Sequence, residues 1–195
     1  MTCIIGLEED GRVYMGGDSC TTAGYETRTI KGKKVFFIGK NAQILVGASG
    51  SGRMTQILQY NFKPPPFGTF EAEEYLCKLF VPKLRKAIRK HGYIHTENQT
   101  ENISENGRFL IGFKGQLFTI YDDFQVHQTE DGLQALGSGR EYALGVMRFY
   151  QSMAKQNSIA SGVIGSPTSG IVNALKIAGY FTGSVAPPYY IEVIK

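Results

Sequence analysis

The strongest constraint on the fold is a hairpin pattern at the start of the chain. Two apolar segments, 2–8 and 12–18, flank Asp10-Gly11, a dipeptide typical of two-residue β-hairpin turns. Antiparallel pairing around that turn brings the end of the second strand back beside the start of the first. The pattern therefore predicts a buried hairpin in which Asp18 lies near Thr2.

Thr2 becomes chemically special if Met1 is removed, because one residue then carries both a hydroxyl and a free α-amine. A hydroxyl is a weak nucleophile that needs a base. An α-amine, with a pKa of roughly 7.7–8.0, can serve as that base near neutral pH. Methionine is usually removed before a small residue, so the chain start indicates an N-terminal nucleophile, although Met-Thr is also simply a common beginning.

A basic residue precedes the next apolar strand, which covers 34–38. Lys34 held near the Thr2 hydroxyl would favour its deprotonated form, and Asp18 would keep the lysine oriented and charged. Lys33 offers the same charge one residue away. Considered without its neighbours, Asp18 is also compatible with a turn or capping residue. Lys34 is likewise compatible with a solvated charge at the end of a strand.

The beginning of this chain resembles the start of a proteasome β subunit, a member of the N-terminal-nucleophile hydrolases. The residues that carry the resemblance are Thr2, 16–19, 22–24 and 33–35. The resemblance continues in three further segments. An apolar strand with a glycine-rich turn covers 45–52, a Gly-Ser-Gly turn that opens a helix lies within 135–145, and a closing helix and strand cover 174–193. Together these segments span nearly the whole chain.

The resemblance implies an α+β fold, a four-layer αββα sandwich, in a single domain over residues 1–195. It implies a threonine-type peptidase that hydrolyses peptide bonds through an ester on Thr2. Asp18 and Lys34 match the family's charged pair. Gly50 matches the glycine whose N–H faces the oxyanion, and Ser138 matches the serine near the terminal amine. Ser138 also fits a turn or helix N-cap residue.

The resemblance also implies a pocket for the substrate side chain before the cleaved bond. The positions of this sequence that match the pocket walls hold small residues, and Phe36 matches a position toward the base of the pocket. The matching wall residues are Thr21, Gly32, Ala48 and Gly52. Small walls leave a roomy pocket, so we expect a preference for large apolar side chains.

Two departures from the family pattern keep other functions open. Cys20 stands where the family usually has an arginine, and the segment 180–185 holds no counterpart of its second aspartate. Thr182 or Ser184 could contribute at most a hydroxyl there. The alternatives are a catalytically silent structural ring subunit, and a related amidase or transpeptidase acting on another substrate.

Composition argues against several other classes of function. A formal charge of +4 is too small to indicate nucleic-acid binding, and the basic cluster within 83–90 fits a solvated helix face. Three cysteines form no disulfide framework or metal-ligand pattern, which favours a reducing compartment. No secretory leader and no membrane-length apolar run is seen, so we expect a cytoplasmic protein. We also expect no metal and no cofactor.

Partners follow from the resemblance. A polypeptide substrate is implied, together with a homo-oligomer, ring or spiral, that encloses the nucleophile. An ATP-dependent unfoldase would feed such a chamber. Neither nucleic acid nor a membrane is expected as a partner.

Hydrophobic periodicity predicts the remaining elements. Further strands are expected at 42–48, 109–113, 117–121, 124–128 and 188–194. Helices are expected at 52–60, 71–90 with a kink at Pro82, 139–154 and 168–179. The polar stretch 96–107 and the small-residue stretch 156–167 are expected to be loops.

Overall fold

The computed structural model describes residues 2–97, 100–156 and 165–195. Most of the expected loop at 156–167 lies outside them. The described residues form a mixed α/β fold with two antiparallel sheets of four and five strands and two further two-stranded ribbons.

The elements have the following bounds. The strands are β1 (Cys3–Glu9), β2 (Arg12–Gly17), β3 (Cys20–Ala23), β4 (Glu26–Thr29), β5 (Val35–Ile38), β6 (Ile44–Ser49), β7 (Ile94–Glu97), β8 (Thr100–Ile103), β9 (Arg108–Phe113), β10 (Gln116–Ile120), β11 (Val126–His127), β12 (Leu133–Gly137) and β13 (Tyr190–Ile194). The helices are α1 (Gly52–Gln56), α2 (Ala72–Tyr75), α3 (Val81–Lys90), α4 (Arg140–Gln156) and α5 (Pro167–Phe181). Wider helical turns follow α1 at Ile57–Asn61 and join α2 to α3 at Leu76–Phe80.

The first sheet contains the predicted hairpin and has the strand order β12-β1-β2-β13. Asp10 and Gly11 have φ angles of 51° and 67°, the two positive values that a tight hairpin turn of this twist needs. The register pairs Ile4 with Gly17 and so places Asp18 beside the start of β1. The expected proximity of Asp18 to the chain start is confirmed.

The second sheet has the order β11-β10-β9-β6-β5. Its central hairpin turns at Lys114-Gly115, again with positive φ at both residues. Side chains on each strand alternate between two apolar environments, which explains why these strands read as nearly continuous apolar runs.

Three buried clusters connect the elements. One lies between the two sheets and includes Ile4, Met15, Leu45, Leu110 and Leu117. A second joins the outer face of the first sheet to α4 and α5 and includes Cys3, Ile5, Leu7, Met147 and Leu175. The third joins the outer face of the second sheet to α1, α2 and α3 and includes Val46, Met54, Leu76, Leu84 and Phe109. Each sheet therefore has helices on its outer face.

The structure differs from the sequence-based elements in several places, and the strand expected at 124–128 is reduced to the two residues of β11. The expected loop at 96–107 instead contributes to the ribbon of β7 and β8 and to a short 3₁₀ turn at Ser104–Asn106. The polar ribbon of β3 and β4, and strand β12, were missed. In β4 every residue is exposed, so no alternation of apolar residues marks it.

Pro82 does not interrupt the helical run at its middle. It lies in the first turn of α3, just after the wide turn at Leu76–Phe80. The wide turn replaces the ordinary i→i−4 hydrogen-bond pattern directly before the proline, which relieves the constraint that a proline places on a continuous helix.

Within the described residues, no helix is long and apolar enough to cross a membrane. The same residues contain no cluster of three or more His, Cys, Asp or Glu side chains arranged to hold a metal ion.

Candidate active site

Asp18 is the hub of the hydrogen bonds at the start of β1. Its carboxylate is fully buried and accepts the Cys3 N–H at Oδ1 and the Cys20 N–H at Oδ2, each at 2.8 Å. The Lys34 ammonium donates to both carboxylate oxygens, at 2.9 and 3.1 Å. The two backbone N–H groups and the ammonium together give both oxygens of the buried carboxylate hydrogen-bond donors.

Lys34, rather than Lys33, contacts this carboxylate. Lys33 lies on the surface, where it binds Glu192 at 2.7 Å and lies over the Tyr190 ring. The contacts therefore resolve the one-residue ambiguity of the sequence in favour of Lys34.

Cys20 occupies the place of the family's usual arginine. Its carbonyl accepts a hydrogen bond from the Lys34 ammonium, so the backbone of this residue helps to orient the cation. The neighbouring Cys3 thiol is buried, and burial, with a smaller contribution from Asp18, raises the pKa of Cys3 to about 12. Cys3 is therefore protonated at neutral pH and does not compete as a nucleophile.

Thr2 is held from the opposite side by the turn that follows β12. Its N–H donates to Ser138 Oγ at 3.4 Å, and its carbonyl accepts from the Gly139 N–H at 3.3 Å. Gly137 has φ +89°, and a Cβ at that position would lie 2.1 Å from the Thr2 carbonyl oxygen. Only glycine at 137 allows the turn to approach Thr2 this closely.

Ser184 extends the polar contacts around the Thr2 nitrogen. Its hydroxyl lies 2.9 Å from that of Ser138, and the residue is buried at 3% exposure. Two hydroxyls thus stand in series beside the Thr2 nitrogen, in the region where the sequence lacks the family's second aspartate. From the sequence, Ser184 was only one of two candidate hydroxyl donors in that segment.

Gly50 lies at the end of β6 with φ +114°, a conformation that favours glycine. An added Cβ would lie 3.0 Å from both Gly107 Cα and Met54 Cε. Within the described residues, the Gly50 N–H donates to no protein group. Its N–H is therefore available as a donor to a ligand at Thr2.

Two cavities meet at Thr2, and the first contains the expected pocket walls. This acyl cavity has a volume of about 540 Å³ and is lined by Thr2, Lys34 and Gly50. All four expected wall residues line it: Thr21, Gly32, Ala48 and Gly52. Phe36 does not. It is only 4% exposed and packs in the core with Met54 and Leu58, because its position on β5 directs it toward the helices.

The far wall of the acyl cavity was missed from the sequence. Thr55, Gln56, Gln59 and Tyr60 line it from α1 and the wide turn that follows. Their helical spacing, opposite the buried Met54 and Leu58, is the signal that could have identified them. The cavity is therefore roomy, but its lining is partly polar.

The second cavity, of about 590 Å³, also contains Thr2 and Gly50 in its lining. Its other walls come from the loop before β9, the start of β9 and the turn into α4. The contributing charged residues are Glu105, Arg108 and Arg140. Thr2 thus lies where two separate spaces for ligand join.

No family sequence model matches the chain. Among solved structures, "Thiobacillus denitrificans BPH" superposes with a TM-score of 0.75 at 18% identity, over 100% of this chain and 98% of that one. The same protein is also known "in complex with Epoxomicin". "Eukaryotic HslV from Trypanosoma brucei" superposes with a TM-score of 0.63 at 18% identity, over 100% and 99%.

A third similar structure is the "Helical Assembly of the Anbu Complex from Pseudomonas aeruginosa", with a TM-score of 0.64 at 15% identity, over 100% of this chain and 81% of that one. Identities of 15–18% establish the fold alone. The chain has the fold of the proteasome β-subunit-like proteins.

Proposed function

We propose that this protein is a threonine-type peptidase whose nucleophile is Thr2 after removal of Met1. The observation that carries the proposal is the buried Asp18 carboxylate, bound to both the Cys3 N–H and the Lys34 ammonium beside Thr2. Gly50 adds a backbone donor at the same point, where the two cavities join.

Acylation follows from these positions. The α-amine of Thr2 takes the proton of its own hydroxyl, and the Lys34 cation stabilises the forming alkoxide. The oxygen attacks the peptide carbonyl, and the Gly50 N–H stabilises the resulting oxyanion. The C–N bond then breaks, the protonated amine of Thr2 gives its proton to the leaving amine, and an ester remains on Thr2.

Deacylation uses the same base. The Thr2 amine takes a proton from water, which attacks the ester carbonyl, and Gly50 again stabilises the oxyanion. Collapse returns the proton to the Thr2 oxygen and releases the acid. Ser138 and Ser184 orient the amine through the hydroxyl pair described above.

The three buried clusters support a four-layer αββα sandwich formed by one domain over the whole chain. In that arrangement the paired sheets are the inner layers, and the helices on their outer faces are the outer layers. A catalytically silent ring subunit and an amidase or transpeptidase remain the competing functions.

Covalent labelling tests the proposed function. Epoxomicin is a peptide epoxyketone, which needs a hydroxyl and a free amine on one residue, and the Thiobacillus neighbour is known in complex with it. We expect one epoxomicin adduct, mapped to Thr2 by peptide mass spectrometry, on the chain that lacks Met1. A Thr2→Ala variant is the matched control and should show none. A Met-free wild-type chain without adduct would support the structural-subunit alternative.

We propose a homo-oligomer, ring or spiral, as the working form. Support comes from a patch of exposed aromatic side chains on α4 and α5, here called the aromatic patch. Its members are Tyr142, Tyr180 and Phe181, with exposures of 43%, 83% and 58%, and ring contacts join all three. The Tyr142 and Phe181 rings stack at 5.0 Å and so form one continuous apolar surface. Grouped exposed aromatics of this kind are typical of protein interfaces.

Charge placed in the aromatic patch should disrupt assembly. We expect a Tyr180→Glu/Phe181→Glu variant to shift the protein toward monomer in native mass spectrometry, because the buried carboxylates would lack partners. Tyr25→Glu, at a fully exposed tyrosine on the β3–β4 ribbon, should leave the assembly unchanged. A wild-type protein that is monomeric at all concentrations would contradict the proposal.

An unfoldase partner stays a prediction from the family resemblance, and a cytoplasmic location stays a prediction from the sequence. The acyl cavity supports a large substrate side chain, and its glutamine-lined far wall adds hydrogen-bonding groups.

A further inference from the structure

The second cavity beside Thr2 has arginines as its cations, whereas the cations of the first cavity are Lys33 and Lys34. It is called here the arginine cavity, and its lining includes Thr2, Gly50, Glu105, Arg108 and Arg140. Its volume of about 590 Å³ matches that of the acyl cavity, so it has room for peptide residues.

The arginine cavity lies on the leaving-group side if the proposed function holds. Thr2 and Gly50 line both cavities, so a peptide bond placed at Thr2 has one cavity on each side. The walls expected for the acyl side chain all belong to the other cavity. The residues after the cleaved bond must therefore enter the arginine cavity.

Arg108 is one of the two positively charged residues in the lining of this cavity, and contacts with neighbouring side chains fix its position. Its guanidinium lies 3.4 Å from Asp122 and packs over the Tyr121 ring at 5.2 Å. Its Nε is buried and has no hydrogen-bond partner among the described residues. Arg108 belongs to the cavity lining, and its partner Asp122 does not.

Arg140 supplies a second cation at the first residue of α4. Its guanidinium contacts Glu141 at 3.1 Å, and the Glu141 side chain is 78% exposed and outside the cavity lining. An exposed pair of this kind leaves the arginine able to exchange partners at little cost. The positive end of the 17-residue helix α4 adds to the field at the same wall.

The lining therefore carries two cations against one anion, Glu105. Arginine is also the side chain best shaped to bind a carboxylate through two hydrogen bonds. We propose that the arginine cavity binds a carboxylate on the leaving-group side of the substrate. The carboxylate is supplied by an acidic side chain or by a free chain terminus directly after the cleaved bond.

Peptide pairs that differ only after the cleaved bond test this. One series carries Asp, Ala or Lys as the first leaving residue with an amidated end, and a second carries Ala with a free or amidated terminus. We expect kcat/KM for the Met-free protein to be about tenfold higher for the acidic residue than for lysine, as for other partly exposed charge pairs. The two series distinguish a side-chain carboxylate from a terminal one.

Variants link the preference to the cavity. Arg140→Glu should reverse the order of Asp and Lys, and Arg108→Lys should weaken the preference while keeping the charge. Arg12→Ala, at an exposed position at the other end of the hairpin, should behave as wild type. Because Arg140 is exposed, its substitution should leave the fold intact, as circular dichroism would verify.

A substrate with an aminocoumarin leaving group separates this inference from the function on which it rests. Its turnover reports the peptidase activity alone, because the coumarin carries no carboxylate, and Arg12→Ala should leave that turnover unchanged. Coumarin release with equal cleavage of Asp, Ala and Lys peptides, or an Arg140→Glu variant with the wild-type order, would overturn the carboxylate site alone. No turnover of any substrate would overturn the peptidase proposal, and the carboxylate site with it.

Discussion

A Thr2→Ala variant is expected to lose turnover by at least about 10⁴-fold, because the change removes the only atom that forms the ester while keeping the amine. Peptide hydrolysis followed by a fluorogenic substrate gives the measurement. Thr2 is 6% exposed, and loss of its hydroxyl and methyl leaves only a small void, so the fold should persist.

Thr2→Ser is the matched control. It keeps a hydroxyl and an amine on one residue, and methionine is removed before alanine, serine and threonine alike, so processing is equal across the series. Intact mass should find all three chains without Met1. A Thr2→Ala protein with more than a tenth of wild-type turnover would exclude Thr2 as the nucleophile.

Lys34→Met should have the second largest effect, and on two properties at once. Activity should fall by about 10²–10³-fold because the alkoxide loses its nearby cation. Stability should fall by about 3–5 kcal/mol because the fully buried Asp18 carboxylate would lose its counter-ion. Turnover and urea unfolding at one protein concentration measure the two effects separately.

The second charge of the pair provides a further control. In Asp18→Asn/Lys34→Met the buried charge is gone, so part of the lost stability should return while activity stays low. Lys40→Met, at an exposed lysine, should change neither property. Full activity in the stable double variant would show that the cation has a structural role only.

The first hairpin shows why much of the fold could be predicted. A turn dipeptide with two positive φ angles, placed between apolar runs, sets both the pairing and the register locally. The β3–β4 ribbon and the hairpin near residue 100 could not be predicted, because their exposed polar strands carry no hydrophobic period.

For the site, the proximity of Asp18 to Thr2 followed from the hairpin alone. Lys34 was a candidate from its place at the start of an apolar strand and from the family resemblance, and Gly50 was a candidate from the resemblance only. The contact between Ser138 and Ser184 joins residues 46 positions apart, so no local pattern shows it. Phe36 lies in the core and outside the cavity lining, because the side chain of a residue on a short strand can face either side of the sheet.

Both sides of the Thr2 residue are anchored, through the Asp18 carboxylate at the next N–H and the Gly139 N–H at its carbonyl. Threonine is also β-branched, so its remaining torsion is stiff. Folding has thus already removed most of the rotational freedom of the attacking oxygen. The entropy of activation should accordingly be small, and the temperature dependence of the rate should mainly reflect the enthalpy of bond making and breaking.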